Sequence, residues 1–147
     1  MRRIALIHAL RHSPPPVEAA FARLWPGQRL MNLLDDSLSA DLAREGRLTP
    51  AMTARFLDLA RYAVGTGAEG ILFTCSAFGP CIEAVAAAHP GIPVLKPNEA
   101  MIAEVAASGA RRVGLLASFP GTLTSMPPEF PPGVELVPML AEGALAA

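Results

Sequence analysis

Only two cysteines, Cys75 and Cys81, occur in the 147 residues, and the three histidines, His8, His12 and His89, are widely dispersed. So few thiols exclude a disulfide framework, and without an H-x-x-x-H pair or a Cys/His cluster no metal site is expected. Charge is also sparse, at 17% of residues, with 12 Lys plus Arg against 13 Asp plus Glu and a net charge of -1. No basic stripe or run interrupts this balance, which excludes nucleic acid and anionic membrane as partners. Long apolar runs are missing too, despite a mean hydropathy of +0.37. The longest, such as Val113–Ala117, are strand-sized and far below the ~20 residues a membrane-spanning helix needs. The opening apolar run stops at His8 and Arg11 with no small-residue cleavage site after it, so a cytoplasmic protein with reduced thiols is expected. Segment Ala9–Pro16 contains no glycine, which removes the dinucleotide fingerprint and leaves Asp35-Asp36 as a turn with Asp36 or Ser37 capping. No Walker A sequence or G-x-S-x-G elbow is present.

What the chain has is aliphatic material, 52% hydrophobic residues, in short runs that alternate with helical segments. That pattern predicts a parallel sheet with helices on its faces. Strands are expected at Arg3–Ile7, Arg29–Leu34, Ile71–Thr74, Arg112–Ala117 and Val134–Val137. Val17, Phe21, Leu24 and Trp25 fall on one face of a first helix, ended by Pro26-Gly27. Ser39 reads as the cap of a short helix stopped by Gly46. Thr49 and Pro50 open the clearest helix, which runs to about Gly65 with Met52, Phe56, Leu59, Ala60 and Ala63 on one stripe. Another helix starts at Gly79-Pro80 and carries Ile82, Val85 and Ala86, with His89 at its C-terminal end. A further helix spans Asn98–Ser108, capped by Asn98 and closed by Gly109. The prolines at Pro14–Pro16 and at Pro127, Pro128, Pro131 and Pro132 read as loop stiffeners and strand boundaries. The tail from Leu140 begins like a helix. A soft boundary near Pro97 divides a first α/β domain, residues 1–97, from the opening of a second, residues 98–147.

Cys75 ends the most apolar strand and precedes a helix, the position where open α/β sheets bind ligands. Backbone N–H groups and the helix dipole there favour negative charge, which predicts a lowered thiol pKa and a fraction of thiolate at neutral pH. Ser76 and the small Ala77 leave room for a carboxylate to approach the backbone. A buried strand-end cysteine with no chemistry fits the same local pattern equally well. Cys81 makes a C-x5-C spacing with Cys75. A phosphatase loop needs Arg where Cys81 stands, and a thioredoxin-like pair needs C-x-x-C, so ordinary core packing is the favoured reading of Cys81. Farther on, Val113–Ser125 reads as a strand and a hydroxyl-rich loop, with Ser118 and Thr122 placed to donate to an anion. His8 follows the first strand on the same sheet edge as Cys75. It could reach a substrate as donor or proton relay, although a loop histidine satisfied by backbone is the commoner case.

Several blocks in series carry a family resemblance: Thr74-Cys75-Ser76-Ala77, Ile92-Pro93-Val94-Leu95, Glu99-Ala100, Gly114-Leu115-Leu116-Ala117-Ser118, then Gly121-Thr122 and Ser125. Over about Arg2–Ser125 the chain resembles the aspartate/glutamate/hydantoin racemase superfamily, which includes arylmalonate decarboxylase and maleate isomerase. That resemblance implies a flavodoxin-like parallel α/β first domain followed by an incomplete second, pseudo-symmetric copy. It also implies a racemase, decarboxylase or isomerase without metal or organic cofactor, acting beside the carboxylate of a small carboxylic or amino acid. Cys75 would move the proton as thiolate, and Ser76, Ala77, Ser118 and Thr122 would hold the carboxylate, with Thr74 also at the substrate. Ser118 stands where the family usually has Thr, which keeps the hydroxyl.

The racemases use a second cysteine from the later part of the second domain, a region beyond Ala147. The expectation is therefore either a fragment of a longer protein or one-base chemistry such as decarboxylation or isomerisation. A non-catalytic small-acid-binding or regulatory protein of the same fold is the alternative, and a thiol redox protein with a reversible Cys75–Cys81 disulfide is a third reading. An incomplete second domain would expose a sheet edge and apolar surface, so self-association into a homo-oligomer is expected.

Overall fold

The computed structural model describes residues 2–144. Its main sheet has four parallel strands in the order β2-β1-β3-β4, formed by β1 (Arg3–His8), β2 (Arg29–Leu34), β3 (Gly70–Phe73) and β4 (Val94–Leu95). Between them run α1 (Pro14–Leu24), α2 (Ser37–Glu45), α3 (Pro50–Gly65) and α4 (Gly79–Ala88). The chain continues through α5 (Glu99–Ser108), β5 (Arg112–Ala117), α6 (Pro120–Ser125) and β6 (Glu135–Leu140). Strands β5 and β6 form a separate parallel pair, in register from Arg112 opposite Glu135 to Ala117 opposite Leu140. The fold is thus mixed α/β with a parallel main sheet flanked by helices.

Alternation along the central strands sorts their side chains between two faces. Ala5, Ile7, Ile71, Phe73 and Cys75 join one buried cluster with Leu38 and Leu42 of α2, Phe56 and Ala60 of α3, and Ile82 and Val85 of α4. Phe56 stacks on Phe73 at 5.1 Å and meets Phe78 at 4.9 Å. Leu6 and His8 point to the opposite face, and both are buried. The Thr49 hydroxyl accepts from the Met52 amide at 3.3 Å, the cap expected from sequence. Thr49→Ala is expected to lower stability by about 1 kcal/mol, read by urea unfolding.

Several local readings change. Pro14 to Pro16 form the first turn of α1 instead of a loop, because prolines cost nothing where a helix leaves its N–H groups unpaired. Helix α1 buries no residue, and Leu24 and Trp25 stay exposed. Helix α2 begins at Ser37, two residues before Ser39, so Ser39 is a helix residue and not its cap. The hydroxyl-rich loop after β5 contains α6, started by Pro120. The last strand is Glu135–Leu140, not Val134–Val137, and it takes Leu140 out of the expected tail helix. The rest of that tail is a turn to Ala144 and then lies outside the described residues.

Candidate active site

Parallel pairing places Thr74 next to the end of β1, where its amide donates to the Ile7 carbonyl at 3.0 Å. Thr74 and Ser76 alternate with Cys75 along this extended exit from β3. They line a cavity of about 290 Å³ together with Asn98, Ser118 and Thr122. A 3-10 turn over Ser76–Phe78 follows. The Ser76 and Thr122 hydroxyls lie 3.0 Å apart, and Ser125 Oγ donates to the Ser76 carbonyl at 3.4 Å. These two contacts fasten α6 over the Cys75 turn. A Cβ at Gly121 would lie 2.8 Å from the Phe119 ring, which would have to shift, and in ordinary contact with Ala77 Cβ at 3.6 Å.

Four residues expected at a substrate, Thr74, Ser76, Ser118 and Thr122, are therefore gathered around one cavity. Ala77 is not among them; it lines a second, largely apolar cavity of about 380 Å³ with Leu42, Arg47, Leu48 and Phe119. Cys75 lines neither cavity and is only 8% exposed. The segment Ser76-Ala77 separates the two spaces, and Cys75 stands directly before it.

The surroundings of Cys75 reverse one sequence expectation. Burial pushes its thiol pKa up, against the opposing help of the Ala77 amide and the Ser39 side chain. Helix α4 begins only at Gly79, so its dipole acts past the intervening turn and not at the thiol. Ser39 Oγ donates to the Ala9 carbonyl at 2.9 Å. Its single proton cannot serve both Ala9 and Cys75. With the proton on Ala9, the Ser39 oxygen can accept from the thiol; a thiolate would draw that proton away and strand a buried carbonyl. The resting state at neutral pH is the thiol.

Cys81 is buried in the core, with its sulfur 3.4 Å from Thr53 Oγ1, as the packing reading expects. Both cysteines are free thiols.

His8 is buried at the end of β1 and does not line the cavity. Side chains rather than backbone satisfy it: Nδ1 lies 2.7 Å from Thr74 Oγ1, and Nε2 lies 2.8 Å from Asn32 Oδ1. Burial lowers its pKa, opposed by Asn32 and by the charge of Glu18. A depressed imidazole stabilises the fold above its unfolded pKa, about 6.5, and that stability is lost as pH falls through the folded value. Urea unfolding between pH 7.5 and 5 is expected to show this loss, with a shallower slope for His8→Leu.

Sequence reading missed Ser39, Asn32 and Asn98 as parts of this region. Asn98 precedes α5, but its side chain does not cap the helix. Its Nδ2 donates to Glu129 at 2.9 Å, leaving a buried Oδ1 without a partner among the described residues. Glu129 also pairs with Lys96 at 3.0 Å, and Lys96 with Glu83 of α4 at 2.9 Å, which ties the segment after α6 to the first sheet. At the end of β2, burial works to raise the Asp35 pKa, but hydrogen bonds from Ser37 and Arg55 outweigh it and hold the carboxyl below its ordinary value. Asp35 is thus committed to the turn, with its carboxylate accepting from the Ser37 amide at 3.2 Å and from Arg55 at 2.6 Å.

A parallel α/β sheet with polar groups gathered beyond its carboxyl edge defines the class of structure. Among solved structures, one similar to this chain is a Yersinia pestis protein provisionally named an Asp/Glu racemase, with TM-score 0.65 and 19% identity over 94% of this chain and 64% of that one. Another is a double mutant of arylmalonate decarboxylase in its liganded form, with TM-score 0.62 and 19% identity over 97% of this chain and 63% of that one. At this identity the likeness shows a shared fold, and the chain spans less than two thirds of either neighbour. No protein-family model matches the sequence. No curated protein matches it either.

Proposed function

We propose that the protein is a cofactor-independent racemase, decarboxylase or isomerase that moves a proton beside the carboxylate of a small carboxylic or amino acid, with Cys75 as the proton-transferring thiol. One observation carries this reading: Ser76, Ser118 and Thr122 converge on one cavity, lined also by Thr74, so that both chain neighbours of Cys75 face it. Their hydroxyls and the nearby backbone would hold the carboxylate as charge builds on it in an enolate-like species. The names of the two fold neighbours agree with such chemistry. On this reading residues 1–97 form the first domain and residues 98–147 open the second.

A thiol whose pKa is pushed up enters the cycle protonated, which suits it to return a proton to carbon. In decarboxylation, the bond from the α-carbon to the departing CO2 breaks and its electron pair remains as the enolate. The α-carbon then takes the proton from Cys75 S–H, and solvent reprotonates the sulfur. Proton removal from an α-carbon, as racemisation requires, needs the thiolate and is the costlier direction here. Incubation in D2O with a panel of amino acids and substituted malonic acids tests the proposal by proton NMR at the α-carbon. Deuterium is expected at that carbon, in substrate or in decarboxylated product. Binding without any exchange would instead favour a non-catalytic acid-binding protein, a reading supported by the absence of Cys75 from the cavity lining.

The same proposal includes a cytoplasmic setting, where both thiols stay reduced, and self-association. Among the described residues the β5–β6 pair has no further strand on either edge. One of its faces presents Leu116 and Met139, 67% and 63% exposed and directly opposite each other. Such a face favours a second copy. Light scattering after size exclusion is expected to give a dimer or larger species, and a clean monomer would contradict it. No helix among the described residues is long and apolar enough to cross a membrane.

A further inference from the structure

A chain of side chains runs from the surface to the cavity: Glu18, Asn32, His8, Thr74. Each link has a direction. Glu18 is a carboxylate and can only accept, so the amide that meets it at 2.6 Å is the Nδ2 of Asn32. The other end of the Asn32 amide is then a carbonyl oxygen, which obliges His8 Nε2, 2.8 Å away, to be the protonated nitrogen. In the neutral imidazole Nδ1 is left as an acceptor. The Thr74 hydroxyl, 2.7 Å from Nδ1, must donate its only proton there. Its other acceptor, the Ile7 carbonyl, is more distant at 3.4 Å. Thr74 therefore turns lone pairs, not a proton, toward the cavity it lines.

We propose that Asn32, oriented by Glu18, is a positioning residue that fixes the Nε2–H tautomer of His8 and so makes Thr74 a hydrogen-bond acceptor at the cavity. The consequence is selectivity. Ser118 can donate to an acid, as can one of Ser76 and Thr122, whose hydroxyls share a hydrogen bond, whereas Thr74 cannot, so the site favours an acid that brings its own O–H or N–H donor beside the carboxylate. That consequence rests on the acid-binding reading above; the tautomer assignment does not.

Two measurements on the full chain separate these parts. Long-range 15N–1H correlation spectra of the imidazole report the tautomer. Wild type is expected to show His8 with Nε2–H. Asn32→Leu removes the acceptor and is expected to shift His8 toward Nδ1–H, now donating to Thr74. Thr74→Val, the second variant, should leave Nε2–H in place because Asn32 still holds it. An Nδ1–H wild type, or an unchanged tautomer in folded Asn32→Leu, would overturn the assignment, as would a tautomer change in Thr74→Val.

NMR titration with glycolate against acetate then reads the selectivity. Wild type is expected to prefer glycolate by roughly two- to tenfold, the net value of one hydrogen bond, and Asn32→Leu to lose the preference. Equal binding of the two acids by wild type overturns the selectivity. Failure of both acids to bind, with the tautomers as expected, refutes the acid-binding reading and the selectivity with it, while the role of Asn32 at His8 stands.

Discussion

Phe56→Ala is expected to lower the unfolding free energy by about 3–5 kcal/mol, the usual range for truncating a buried phenylalanine. Phe56 is 2% exposed and lies between Phe73 of β3 and Phe78 of the turn after Cys75, with ring centroids 5.1 and 4.9 Å away. The loss combines the transfer of an aromatic side chain with the cavity left among residues that cannot fully close it. Its position adds a second effect. Phe78 belongs to the 3-10 turn that also contains Ser76, so removing its support loosens the residue that meets Thr122 across the cavity. Urea unfolding followed by far-UV circular dichroism measures the first effect. Phe56→Leu, which keeps much of the volume, is expected to lose less than half as much. Equal losses in the two variants would show that the packing around Phe78 is not what Phe56 provides.

Cys75→Ala is expected to reduce α-carbon proton exchange by about 10²–10⁴-fold, the usual contribution of one positioned acid or base. The substitution is small, and Ala fits the extended backbone at this position, so stability should change little compared with Phe56→Ala. Cys75→Ser separates chemistry from volume: a hydroxyl holds its proton far more tightly than a thiol, so this variant is expected to resemble Cys75→Ala in rate. The pH dependence distinguishes the two halves of the reaction. Because burial pushes the thiol pKa up, proton donation by Cys75 should be flat through neutral pH and fall only as the thiol finally ionises. Proton removal by the thiolate should rise over that same range. A protonation step that weakens as pH rises from 6 to 8 would contradict the buried thiol described here.

Much of the fold was legible because it is encoded locally. Thr49-Pro50 announces α3, Gly46 and Gly109 take the left-handed conformation that closes α2 and α5, and Arg29–Leu34 and Arg112–Ala117 are strands as read. The periodicity of Met52, Phe56, Ala60 and Ala63 identified the face that packs on the sheet. Prolines misled at Pro14–Pro16, because a first-turn proline and a loop proline look alike until the following hydrogen bonds are known, and the hydroxyl-rich stretch after β5 hid α6. The grouping of Thr74, Ser76, Ser118 and Thr122 was readable from strand ends and ordered motifs. The setting of Cys75 was legible only in part: burial was one of its two readings, but the Ser39–Ala9 hydrogen bond is not written near it in sequence. The same holds for His8, whose partners Asn32 and Thr74 lie 24 and 66 residues away and arrive through strand pairing alone. Asp35 lies in the turn read from sequence, while its partner Arg55 of α3 could not be read there.

The central claim is that Cys75 carries the proton. It is tested most directly by deuterium incorporation at the α-carbon, with wild type and Cys75→Ala compared in D2O at equal concentration on the same acids. Deuterium should enter at a measurable rate with wild type and about 10²–10⁴-fold more slowly with Cys75→Ala. Exchange that survives the substitution undiminished would remove Cys75 from the chemistry.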